Sequence, residues 1–170
     1  MKENKQSPRT SALLSIIPGL GQFKNGQKVK GGIFLGLFIL FVIEMVFFGG
    51  NALVGLITLG TNPGVDNSMF LMVQGTLQLL VTIIALFFYG LQIRDAYQTA
   101  VRIQKGKEVE DGWKGIRDSL ATNGFPYMLT FPAYALMIFV IILPVLVTLF
   151  MAFTNYNFNH VPPQSLISWI

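Results

Sequence analysis

The sequence predicts an all-α integral membrane protein, with three transmembrane helices preceded by a short interfacial or re-entrant hairpin. Of 170 residues, 52% are hydrophobic and 12% are charged, with a mean hydropathy of +0.58, against about 25% charged residues in a typical soluble domain. Apolar stretches at 32–58, 69–93 and 127–154 are each long enough for a helix to cross a roughly 30 Å hydrocarbon layer. The basic residues complete the pattern. Lys2, Lys5, Arg9, Lys24, Lys28 and Lys30 precede the first stretch, and Arg94, Arg102, Lys105, Lys107, Lys114 and Arg117 separate the second from the third, which accounts for all 12. By the positive-inside rule residues 1–31 and 94–126 are cytoplasmic, while the 59–68 connection and the segment from 155 to 170 are external.

Residues 1–10 are polar, and the apolar run at 12–17 is shorter than the core of a usual signal peptide. Pro18-Gly19-Leu20-Gly21 stands where a cleavage site would fall, so no cleavage is expected. Two turns of apolar helix cannot cross a bilayer, and Pro18, Gly19 and Gly21 break them. The stretch at 11–32 is therefore expected to dip into the interface and turn back, with Lys24, Lys28 and Lys30 as anchors among the headgroups. One reading makes it a hairpin that docks on anionic lipid or on a neighbouring subunit. The plainer reading makes it a stiff linker that sets the angle of the first span. No G-K-[ST] follows the glycines, which argues against a phosphate cradle.

In the first span, Gly32 and Gly36 form a G-x-x-x-G at the inner end, a spacing that lets another helix approach closely. Glu44 carries more information, because a carboxylate within a span is costly and points to function by default. It lies about 18 Å from the inner end. In the second span Gln74 and Gln78 share a face by their i, i+4 spacing, with Gln92 near the inner end. If the two spans are antiparallel, Gln78 lies about 22 Å from the inner side, close to the depth of Glu44. Glu44, Gln74 and Gln78 are thus the candidate intramembrane polar contacts, either as glue between helices or as a substrate or proton site.

No breaker interrupts the chain from Arg94 to Lys105, so the second helix should extend into water as far as Gly106. Beyond the acidic Glu108, Glu110 and Asp111, the residues Trp113, Ile116 and Leu120 fall on one helical face. That pattern predicts an amphipathic helix lying on the membrane with Trp113 as its anchor, or a contact helix for a cytoplasmic partner. Pro144 lies well inside the third span and removes a backbone hydrogen bond, so a kink near Leu143 is expected.

Several function classes are set aside. The chain has no cysteine, which excludes disulfides, thiolate metal sites and cysteine nucleophiles. His160 is the sole histidine and sits in Asn159-His160-Val161-Pro162-Pro163, a surface turn without neighbouring carboxylates, so neither a metal site nor a catalytic role is expected. Enzyme activity is not expected, and neither is a nucleic-acid partner.

Leu143-Pro144 inside a long aliphatic helix, leading to Ala152-Phe153-Thr154-Asn155-Tyr156 and a polar, proline-containing stretch, resembles the early spans of the MalF-type permeases of bacterial maltodextrin ABC importers. More broadly it is similar to the sugar permeases of the binding-protein-dependent class. The resemblance covers residues 125–170 well and the earlier chain loosely. It implies a permease subunit of the bacterial cell membrane that passes oligosaccharide by alternating access. The implied partners are a second permease subunit, a cytoplasmic ATPase dimer and an external sugar-binding protein, besides the lipid bilayer. It implies no cofactor on this chain, ATP being bound and hydrolysed by the partner ATPase. The family's E-A-A loop, which docks on the ATPase, has no counterpart in these 170 residues, and the apolar Ser168-Trp169-Ile170 reads as a cut. The N-terminal segment of a longer permease is therefore expected, and no substrate-binding residue is carried over. The alternative is a complete small membrane scaffold or assembly protein without transport activity.

Overall fold

A segment carried into hydrocarbon must pair its own backbone groups, and most of the described residues do so as helix. The computed structural model describes residues 7–62, 65–107, 109, 111–113, 116–117, 121 and 125–155. Two short helices, α1 (Pro8–Leu14) and α2 (Leu20–Lys24), come first. The first span follows as α3 (Lys28–Glu44), a π-helical turn over Met45–Gly49, and α4 (Gly50–Thr58). The second is a single helix, α5 (Ser68–Gln104). The third runs through α6 (Phe125–Met137), a π-helical turn over Ile138–Ile142, and α7 (Leu143–Met151). The stretches Lys28–Thr58, Ser68–Gln104 and Leu129–Met151 are each long and apolar enough to cross a membrane.

The π turn of the third span ends one residue before Leu143-Pro144, where the sequence predicts a kink. Proline lacks an N–H and its ring collides with the carbonyl four residues earlier. Widening the preceding turn to i→i+5 spacing relieves both conflicts. Pro132 is carried inside α6. Four hydroxyls within the spans, those of Thr58, Thr76, Thr82 and Thr148, donate to the carbonyl four residues earlier in their own helix. None of these groups is then left without a partner in lipid.

The structure divides into two compact units, Met1–Val42 with Ile84–Leu129, and Ile43–Ile83 with Thr130–Ile170. Within the second unit, α4 and the first half of α5 pack antiparallel through small residues. A Cβ added at Gly75 would stand 2.4 Å from Leu56 Cβ and 2.6 Å from the Ala52 carbonyl, and one at Gly55 would stand 3.0 Å from Leu71. Leu59, Met72 and Val147 form the apolar core of this unit, flanked by Leu143 and Phe150 of the third span. Gly32 and Gly36, the G-x-x-x-G pair of the sequence, have open space where a Cβ would stand. Close approach instead uses Gly31, whose Cβ would meet the Gly19 carbonyl at 2.9 Å and the Phe23 ring at 3.0 Å. The difference follows from register, because one residue along a helix turns a position about 100° around its axis.

The connection between the first two spans is a tight hydrogen-bonded loop. Leu59 takes a left-handed conformation, φ 56°, and its side chain is buried. Asp66 accepts from the backbone N–H of Thr61 at 2.7 Å and of Asn62 at 2.8 Å. Asn67 caps α5 by accepting from Phe70 N–H, and Ser68 Oγ donates to the Leu59 carbonyl at 2.6 Å. The backbone donors of Asn62 and Thr61 hold the Asp66 carboxyl below the usual carboxylate range. Its contribution to the loop is therefore present above the unfolded value of about 3.8 and lost as pH falls through the lower folded value. Protection of the Thr61 and Asn62 amides, their exchange measured against the intrinsic rate at each pH, should fall on acidification in that range, and Asp66→Asn should abolish this pH-dependent step. Identical acid profiles for the two proteins would contradict the assignment.

Candidate functional site

Two polar constellations stand out in a chain this apolar. The first lies in the second unit, at the π turn of the first span. Glu44 ends α3, and Gln78 Nε2 of α5 donates to Glu44 Oε2 at 3.1 Å. Gln78 is 5% exposed. Gly49, at the other end of the π turn, makes room for it, since a Cβ there would fall 2.5 Å from Gln78 Nε2. A widened turn and a glycine therefore seat one amide against one carboxylate, the kind of helix irregularity that recurs at functional positions. Gln74 does not join them. It is exposed, lying about 6 Å along α5 from the level of Gln78.

The second constellation lies in the first unit and holds the α1–α2 hairpin against the latter half of α5. Gln22 is fully buried, and its Nε2 donates to the Gln92 carbonyl at 2.9 Å. Gln92 Nε2 donates in return to the Ser15 carbonyl at 2.7 Å. Asn25 Nδ2 donates to the Ala96 carbonyl at 2.8 Å, while its Oδ1 accepts from Ser11 Oγ at 2.9 Å. Tyr89 Oη donates to the Ile16 carbonyl at 3.0 Å. Gly21 lies against Ala96, where an added Cβ would stand 3.0 Å from the Ala96 Cβ. Gly19, with φ 93°, supplies the left-handed residue that starts α2.

Both sequence readings of the hairpin, a dock on lipid or a neighbouring subunit and a stiff linker, left its contacts with α5 unnamed, and it is on α5 that its amides find partners. Lys30 Nζ lies 2.7 Å from Asp95 Oδ1. Lys24 donates to Thr10 Oγ1, and Lys28 is exposed. Trp113 is 71% exposed, and the rest of its expected amphipathic face includes Leu120, which lies outside the described residues, as do His160 and the segment from 156 to 170. Asp111, two residues before Trp113, accepts from Val29 N–H in the first turn of α3 at 3.3 Å. Among the described residues no three of His, Cys, Asp and Glu gather into a possible metal site.

Membrane-length apolar helices and amides paired across them define a multi-pass helical membrane protein. The chain is homologous to the permease proteins of maltodextrin transport systems. It is 52% identical over 162 residues to the maltodextrin transport system permease protein MdxF of Bacillus subtilis, covering 95% of this chain and 37% of that protein. It is 48% identical over 166 residues to the maltodextrin transport system permease protein MalC of Streptococcus pneumoniae, covering 98% and 38%. The galactooligosaccharides transport system permease protein GanP of B. subtilis is 37% identical over 165 residues, covering 97% and 39%. The chain thus spans somewhat under two fifths of the length of these relatives. No protein-family model and no solved structure matches it.

Replacement of Gln78 by Leu should cost about 0.6 to 2 kcal/mol, the worth of one hydrogen bond between membrane helices. Gln92→Leu strands the buried Ser15 carbonyl, and Asn25→Leu strands the Ser11 hydroxyl. Each should cost about 1 to 3 kcal/mol. Thermal unfolding in detergent checks the ranking, and a Gln92→Leu protein as stable as wild type would remove the hairpin contacts from the account.

Proposed function

We propose that this chain is the N-terminal membrane segment of a permease subunit in an ATP-driven importer of maltodextrin-type oligosaccharides. The single observation that carries the reading is the 52% identity over 162 residues to a maltodextrin transport system permease protein. Sugar passes by alternating access between two permease subunits. ATP is bound and hydrolysed by a cytoplasmic ATPase dimer, so this chain is not itself an enzyme and carries no cofactor. An external binding protein delivers the sugar. The distribution of basic residues supports an N-terminus and a 94–126 segment in the cytoplasm and a 59–68 loop outside, in a bacterial cell membrane.

Within that reading the described residues serve as a scaffold at the permease periphery. Several of their polar side chains are engaged within the protein, Gln78 with Glu44 and Gln22 with the Gln92 backbone carbonyl, and substrate contacts fall to other parts of the protein. The higher identity to the maltodextrin permeases than to the galactooligosaccharide permease favours α-linked glucose oligomers as cargo.

Uptake of labelled maltotriose in a bacterium lacking its own maltodextrin permease, supplied with the complete reading frame and its neighbouring transport genes, tests the reading. Uptake should be restored and should require ATP. Restoration of galactooligosaccharide uptake alone would overturn the cargo, and failure with both sugars, at normal membrane expression, would overturn the importer.

A further inference from the structure

The first unit contains a cleft of about 520 Å³ that no polar contact of the fold requires. Ile16 and Pro18 of the hairpin close one side, Phe34 and Phe38 of α3 another, and Ala85 and Phe88 of α5 a third. Along α3 the lining runs from Phe34 to Phe41, and along α5 from Ala85 to Gln92, so the cleft extends about 10 Å, or two helical turns, along each. That is about a third of a roughly 30 Å span, short for the contact of a whole transmembrane helix.

Its chemistry narrows the occupant further. The polar groups at its wall are already committed, Tyr89 Oη to the Ile16 carbonyl and Gln92 Nε2 to the Ser15 carbonyl. The remaining wall is hydrocarbon and aromatic ring, and it offers a ligand packing without hydrogen bonds. At the hairpin end the surroundings carry an excess of basic residues. Arg9, Lys24, Lys28, Lys30 and Arg94 stand there against Asp95, which pairs with Lys30, and Asp111, which reaches Val29 at the start of α3. Lys30 lies one turn before Phe34 on the same face of α3. An apolar slot capped by an excess of positive charge is complementary to a molecule with a long hydrocarbon tail and an anionic head.

We propose that this cleft is a phospholipid site, taking one acyl chain of an anionic lipid whose headgroup lies among the basic residues at the hairpin end. The bound chain fills the space between hairpin, α3 and α5 and so fastens the hairpin where the Gln22, Asn25 and Gln92 hydrogen bonds place it. The inference does not depend on the transport reading.

Native mass spectrometry of the full chain in mild detergent, offered equal amounts of phosphatidylglycerol and phosphatidylcholine, tests it. One phosphatidylglycerol should be retained, favoured by about five-fold or more, the effect of one basic residue at a membrane surface. Ala85→Phe, which fills the slot, should abolish retention with helicity unchanged, whereas Leu40→Phe on the exposed face of α3 should not. Should Ala85→Phe fail to fold, a photoreactive side chain at Leu37 in native membranes gives the second reading, and its adduct should be phosphatidylglycerol. Equal retention of the two lipids, retention unaffected by Ala85→Phe, or an adduct with polypeptide at position 37 would overturn the proposal.

Discussion

Hydrocarbon offers no hydrogen-bond partner, so every polar group this chain carries into its apolar stretches must find one within the protein. Most of the structure can be read as the consequence. Backbone groups are paired by helix formation, and the threonine hydroxyls fold back onto their own helices. Long amide side chains have no such local solution, and four of them reach another element. Gln78 reaches Glu44, Gln92 reaches Ser15, and Gln22 and Asn25 reach the backbone of α5. The hairpin is held where it is because its amides have nowhere cheaper to go.

The same constraint separates what could be read in the sequence from what could not. Span positions follow from hydropathy over about 20 residues, a local property. Glu44 and Gln78 were legible as a pair because each is conspicuous in an apolar stretch and helical rise gives each a depth. The exclusion of Gln74 was not legible, since i, i+4 spacing assigns a face and leaves axial level to the packing. The hairpin contacts were hidden for another reason. Gln22 and Gln92 are 70 residues apart, and an amide in a Gly- and Lys-rich stretch looks like any interfacial residue until its partner is known. The Lys30–Asp95 pair was hidden in the same way, since Lys30 reads as a headgroup anchor by composition and its reach to Asp95 depends on the packing. The π turn at Met45–Gly49 contains no proline, and sequence offers no signal for it beyond Gly49 itself.

Kinship was legible chiefly through the Leu143-Pro144 helix and its Ala152-Phe153-Thr154-Asn155 exit, residues whose resemblance led to the sugar permeases that the chain is similar to. No substrate site could be read, and the described residues give a physical reason. Glu44 and Gln78 are engaged with one another, and Gln22, Asn25 and Gln92 with backbone carbonyls, while large apolar side chains of the spans are exposed, as at Phe47, Phe87 and Phe139. Such a segment supplies anchoring and shape.

The account rests on the hairpin being a fixed part of the membrane domain, and hydrogen–deuterium exchange over residues 11–27 of the chain in lipid nanodiscs tests that most directly. Slow exchange at Ser15, Phe23 and Asn25, comparable to the amides of α5, is the predicted result. Exchange at the rate of an unstructured interfacial segment would contradict it and return these residues to the role of a simple linker.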